Sequence, residues 1–131
     1  MSEDKNQKPD ISNAEFDVLD ALWDGYPATS ADIIARLNSR KAWHEKTIKT
    51  LLSRLVKKQV ISFEKLQRQY LYTPLIARED YTKKETANFV SRMFKGKIAP
   101  MVAGFANQNS LSRQDVDELK ALIEKWEKNN D

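Results

Sequence analysis

At one place only does this chain exchange helical spacing for strand spacing. In residues 60–74, VISFEKLQRQYLYTP, Ile61 and Phe63 alternate with polar residues, as do Tyr70 and Tyr72, which predicts two strands joined by a charged turn. The turn holds no Asn-Gly or Asp-Gly pair, so a longer loop is expected, with Lys65 and Arg68 at or near its tip. Pro74 closes the unit. A lone hairpin among helical segments makes the expected fold mainly α with a small β-hairpin wing.

Three helical segments precede the hairpin. ISNAEF has the grammar of a helix start: Ser12 as N-cap, Glu15 three residues later to complete a capping box, and Ile11 and Phe16 placed as a hydrophobic staple. Phe16, Leu19, Leu22 and Trp23 then share a face until DGYP (residues 24–27) ends the helix. Ser30 can cap a second, short helix carrying Ile33, Ile34 and Leu37 at helical spacing. The third occupies WHEKTIKTLLSRLVKK, residues 43–58. At 100° per residue Ile48, Leu51, Leu52, Leu55 and Val56 gather on one side. Lys46, Thr50, Ser53 and Lys57 point the other way, flanked by Lys49 and Arg54.

Charge sharpens the meaning of that second face. The whole chain of 131 residues carries a net charge of only +3, yet residues 36–70 hold ten Lys/Arg against Glu45 and Glu64. A basic block between acidic flanks is the electrostatic footprint of a module that binds a polyanion. An α-helix fits the major groove of B-DNA, where Lys or Arg reads guanine and Ser or Thr contacts bases or phosphates. Helix, short helix, basic helix and then a hairpin with a basic tip is the element order of a winged helix-turn-helix. The spacing therefore offers Lys46, Lys49, Thr50 and Arg54 of the third helix, with Lys65 and Arg68 of the wing, to DNA. A protein-interaction adaptor built on the same winged helix, without sequence-specific DNA binding, is the competing reading; the basic face disfavours it.

Catalysis has few tools here. There is no cysteine, and His44 is the only histidine, which excludes thiol chemistry and multi-histidine metal sites. His44-Glu45 opens a zinc-protease HExxH, but the fifth position is Ile48, so the second ligand is missing. Neither an enzyme activity nor a cofactor is expected. The N-terminus is polar and no apolar run approaches the roughly 18 residues that a membrane span needs, so a cytoplasmic protein without membrane insertion is expected.

Beyond the hairpin, residues 79–95 set Phe89, Val90, Met93 and Phe94 on an apolar stripe, with Gly96 as a C-terminal stop. The segment IAPMVAGFANQN follows. A last helix begins at Ser112, with Asp115 at the capping-box position and Val116, Leu119, Leu122, Ile123 and Trp126 on its stripe. Helices this short have little core of their own, and burial against a second copy is the simplest way to cover them. The expected organisation is a disordered arm (1–10), a winged-helix DNA-binding domain (11–75) and a helical dimerisation domain (76–131).

AEFDVLDALW (14–23), KTIKTLLSRLVKK (46–58), YLYTP (70–74) and MVAGFANQNSLS (101–112) together resemble the penicillinase-repressor, or BlaI/MecI-type, transcriptional repressors. The resemblance runs from Ile11 to the C-terminus. It implies a homodimer that represses its genes from a palindromic double-stranded operator, with Lys46, Thr47, Lys49 and Thr50 facing bases and phosphates, Arg54 and the wing cations on the backbone, and Ser30 counted among the DNA-binding residues. Phe89, Val90, Met93, Phe94, Met101, Phe105, Leu119, Leu122, Ile123 and Trp126 would lie in its dimer interface. It also implies relief of repression when a membrane-bound sensor metalloprotease triggers cleavage in the arm beside a phenylalanine, a place that Gly104-Phe105 matches. The better-known members carry Asn where this chain has Gly104. The copper-responsive branch carries a C-terminal cysteine cluster that is absent here, so metal sensing through thiolates is not expected.

Overall fold

The computed structural model describes residues 10–130. The expected disordered arm therefore lies, apart from Asp10, outside the described residues. The chain forms α1 (Asn13–Trp23), α2 (Ser30–Asn38), α3 (Glu45–Lys57), β1 (Ile61–Leu66), β2 (Gln69–Pro74), α4 (Arg78–Phe94), α5 (Ile98–Asn107) and α6 (Arg113–Asn129). It divides into two compact units, one extending to Thr82 and one beginning at Lys83.

The first unit is a winged helix. Its core is the set of apolar stripes that periodicity picks out: Val18, Leu19 and Leu22 from α1, Ile33 and Leu37 from α2, and Ile48, Leu51, Leu52 and Leu55 from α3, closed by Ala28, Val60 and Ile61. Each large side chain so buried contributes about 1.5–3 kcal/mol of transfer free energy. Caps set the helix entries. Ser12 accepts from the Glu15 N–H and Glu15 accepts from the Ser12 N–H, the reciprocal box expected at α1. At α2 the cap is Thr29 and not Ser30, because Asp32 stands three residues after Thr29 and the two exchange side-chain-to-backbone bonds of 3.1 Å. Those bonds from Thr29 hold the Asp32 carboxyl below its ordinary pKa. Ser30 becomes the first helical residue.

The turn of the wing is tighter than the longer loop expected. β1 and β2 pair antiparallel in the register Phe63↔Tyr72, Lys65↔Tyr70 and Leu66↔Gln69, so only Gln67 and Arg68 form the turn. Gln67 adopts φ 60°, the conformation for which Asn or Gly is the usual signal. Ala28 bridges Tyr72 through two backbone bonds of 3.0 and 2.8 Å, which ties the base of the wing to the segment before α2.

Several members of the basic block are occupied internally. Arg36 donates through Nη1 to the carbonyls of Ala21 and Gly25 at the end of α1, and a Cβ at Gly25 would meet its guanidinium at 3.0 Å. Arg40 pairs with Asp20 and Asp24, as does Arg78 at the start of α4. Arg78 also lies over Trp23, whose indole N–H donates to the Ile76 carbonyl. Lys58, which follows α3, reaches back to the carboxylate of Glu15 at 2.8 Å and to the Asp10 carbonyl. Glu15 is only 2% exposed. Burial alone pushes its carboxyl up, but the Lys58 ammonium and the bonds from Ser12 outweigh that, and its pKa lies below the ordinary value of 4.5.

The second unit contains a helix where periodicity shows only a connecting segment. α5 has no side-chain cap at Lys97, carries Pro100 in its first turn and Gly104 in its interior, so its start signal is missing and its propensity is poor. It leaves through Asn109 at φ 55°, with the Ser110 N–H bonded to the Phe105 carbonyl. α6 starts as expected, with Ser112 and Asp115 in a reciprocal box. Val90 is the one buried hydrophobic residue of this unit among the described residues. Its apolar stripes are otherwise open: Phe89, Met93, Phe105, Leu122, Ile123 and Trp126 are all exposed.

Candidate nucleic-acid interface

With Ile48, Leu52 and Leu55 fully buried, the opposite side of α3 must face outward, and it does so as one shallow depression. Lys46, Lys49, Thr50 and Arg54 line it together, joined by Glu45, Ser53 and Lys57. Thr47 sits on its flank beside Lys46, Thr50 and Arg54. All of these polar side chains are exposed. Three are engaged within the helix: Thr50 donates its hydroxyl proton to the Lys46 carbonyl at 2.9 Å, and Lys49 pairs with Glu45 at 3.1 Å. The entry to α3 is held by Trp43, which packs on the core while its N–H donates to the Asn38 side chain.

A second groove, of about 570 Å³, runs between the start of α2, the side of α3 and the wing. Ser30, Lys49, Ser53 and Arg68 border it, so Lys49 faces both hollows. Its wing wall is aromatic: Phe63 and Tyr70 meet edge to face at 4.9 Å and Tyr72 stands behind them. Burial in this wall raises the Tyr72 pKa, with a further push from Tyr70 and a partial offset from Lys49. Lys65 belongs to neither hollow; its ammonium lies 6.0 Å from the Tyr70 ring.

The structure thus brings together Lys46, Lys49, Thr50 and Arg54 on one surface, Ser30 and Arg68 with Lys49 on the adjoining one, and leaves Lys65 at the margin. Phe63 and Tyr70 were legible only as strand residues, since alternation marks a face without saying what it borders. Among the described residues no group of three His, Cys, Asp or Glu side chains is placed to hold a metal ion. No helix among them is long and apolar enough to cross a membrane.

The family model for the penicillinase repressor matches residues 11–125. The chain belongs to that family. It is 33% identical to the penicillinase repressor of Bacillus licheniformis over 116 residues, which covers 88% of this chain and 91% of that one. The methicillin resistance regulatory protein MecI of Staphylococcus aureus strain N315 is 32% identical over 120 residues, 92% of this chain and 98% of its own. Among solved structures, the monomeric form of Bacillus licheniformis BlaI in complex with the blaP half-operator superposes with a TM-score of 0.50 at 36% identity, covering 57% of this chain and 92% of that one. Members of the penicillinase repressor family are transcriptional repressors, and this one presents a basic, hydroxyl-rich helix beside a wing, which is how such a protein meets duplex DNA.

Proposed function

We propose that this repressor works in the cytoplasm as a homodimer on a palindromic operator, with α3 in the major groove and the wing on the adjoining backbone. The observation that carries the reading is the two-sided character of α3. Its inner face is wholly committed to the core, and its outer face offers Lys46, Thr47, Lys49, Thr50 and Arg54 with no aromatic or large apolar side chain among them. A likeness to the BlaI monomeric form bound to a half-operator supports the same docking. Ser30, Arg68 and Lys65 then hold phosphates, and base reading falls to the first two turns of α3.

The second unit supports pairing of two copies. Its helices bury a single hydrophobic residue among those described, and the stripe of Phe89, Met93, Leu122, Ile123 and Trp126 is left open. A second chain covers such a stripe and sets two heads about one helical turn apart, roughly 34–36 Å. Release follows from loss of that link. Gly104-Phe105 lies within α5, so a sensor-triggered protease would have to open the helix there. A mid-helix glycine lowers the cost of opening by roughly 0.5–1 kcal/mol relative to alanine. Once the arm is cut, the second head loses its effective concentration and the operator is vacated.

Gel-shift titration of the full chain against a palindromic duplex from its own promoter, the isolated half-site and a scrambled duplex tests the proposal. The palindrome should bind far more tightly than the half-site, and the half-site more tightly than the scrambled duplex. Equal affinity for all three would refute it.

A further inference from the structure

Glu45 is the one acid on the outward depression of α3, where it stands beside Lys46, Lys49 and Thr50. Its side chain is 66% exposed and its Oε1 lies 3.1 Å from the Lys49 ammonium. An ordinary structural account exists: an acid in the first turn suits the helix dipole, and Glu followed by Lys four residues later is a favourable pair. That account does not deal with the cost of carrying a carboxylate to DNA. Against a phosphate about 4 Å away it would be repelled even in bulk water. An acid on this face is tolerable only where it points at base edges, and the first residues of a recognition helix are the ones that reach them.

We propose that Glu45 is a specificity-determining residue, accepting a hydrogen bond from the exocyclic amino group of a cytosine while Lys49 donates to the guanine beside it. The inference rests on the operator-binding reading and deepens it. A carboxylate only accepts, so it cannot pair with guanine O6 or N7 or with thymine O4; the major-groove donors open to it are the amino groups of cytosine and adenine. Adenine sets its N7 acceptor next to that amino group and would repel the second carboxylate oxygen. In a C·G pair the neighbour is guanine O6, which needs a donor. The amino group and O6 are joined by a base-pairing hydrogen bond of about 2.9 Å, close to the 3.1 Å between Glu45 and Lys49. The side-chain pair is thus complementary in sign and spacing to the edge of one C·G pair.

Selection from a randomised duplex library, with the full chain as wild type, Glu45→Gln and Glu45→Ala, tests this directly. Wild type should select a C·G pair at one position of each half-site, and Glu45→Ala should widen that position to C·G and A·T, which both keep an acceptor (guanine O6 or thymine O4) for Lys49, with the other positions unchanged. Its preference for the selected duplex over one with that pair changed to A·T should fall from about tenfold to about one. Binding of Glu45→Ala to a scrambled duplex should tighten roughly two- to fivefold as the repulsion is removed. Identical selected sequences for wild type and variants, or a uniform change at every position, would confine Glu45 to its helix and overturn the proposal. A wild-type chain that selects no sequence would instead refute the operator reading, and the role of Glu45 with it.

Discussion

Lys58→Met should lower the stability of the DNA-binding unit by about 2–4 kcal/mol at pH 7, with a penalty that shrinks as the solution is acidified. The carboxylate of Glu15 is 2% exposed, Lys58 Nζ stands 2.8 Å from its Oε1, and its Oε2 is enclosed without a hydrogen-bond partner among the described residues. Removing one partner of a buried pair costs about 3–5 kcal/mol. The figure is reduced here because the Ser12 N–H remains on the carboxylate and the Lys58 side chain is itself 31% exposed. In the wild type the Glu15 pKa is depressed below 4.5, so this group's stabilisation is present above the unfolded value and is lost as pH falls through the folded one. In Lys58→Met only burial and the Ser12 bonds remain. Burial is the largest influence on Glu15, so without Lys58 the folded pKa should move up from its depressed position. The stabilisation that this carboxylate contributes above its unfolded value is then smaller, so variant and wild type converge as pH falls. Urea unfolding followed by tryptophan fluorescence at pH 7 and pH 4.5 measures both quantities. A difference between variant and wild type that is under about 0.5 kcal/mol, or equal at the two pH values, would refute the reasoning.

Three further outcomes are expected. Because the Thr50 hydroxyl proton is spent on the Lys46 carbonyl, its methyl is what it offers a base; Thr50→Val should keep operator preference in a competition gel shift, and Thr50→Ser should lose about 1 kcal/mol at one T·A position. Leu122→Asp combined with Trp126→Asp places two charges on an already exposed stripe, so the fold should persist while sedimentation shows a monomer at micromolar concentration. A Cβ at Gly104 meets nothing within 4 Å, so Gly104→Ala should stabilise α5 by about 0.5–1 kcal/mol and slow its proteolysis under inducing conditions, read as persistence of the intact chain on a gel.

How legible each element was depended on whether a side chain or only the backbone carried the information. The caps at Ser12 and Ser112 and the stripes of α1 to α3 could be read because residue type and spacing state them outright. Thr29 and Ser30 are adjacent hydroxyls, and the choice between them is made by Asp32, whose distance favours Thr29. Backbone conformations were harder to see. α3, the wing and α5 turn through Gln59, Gln67 and Asn109, all at positive φ, and two of the three are residues that rarely announce it. On the interface, α3's outer face was visible as charge with hydroxyls. The aromatic wall of the second groove was not, because it exists only once the bridge from Ala28 to Tyr72 brings the wing against α2. Lys58 shows the same limit from the other side. Sequence counts it with the basic block, and only the fold gives it to Glu15.

That inward use of basic residues also sets how the complex should respond to ionic strength. Of the cations between residues 36 and 70, Arg36, Arg40 and Lys58 are tied to partners within the protein, and Lys41 lies over Trp43. Lys46, Arg54, Lys57 and Arg68 remain exposed, as do Lys49, whose partner Glu45 lies on the same outer face, and Lys65 at the Tyr70 ring. A head with at most about six phosphate contacts displaces a matching number of condensed counterions, so log K should fall against log salt with a slope no steeper than roughly −5, and roughly −10 for two heads. A chain judged by its full basic block would be expected to bind more steeply. The slope therefore counts heads, and its fall by half on scission of the arm would report the moment at which one of them lets go.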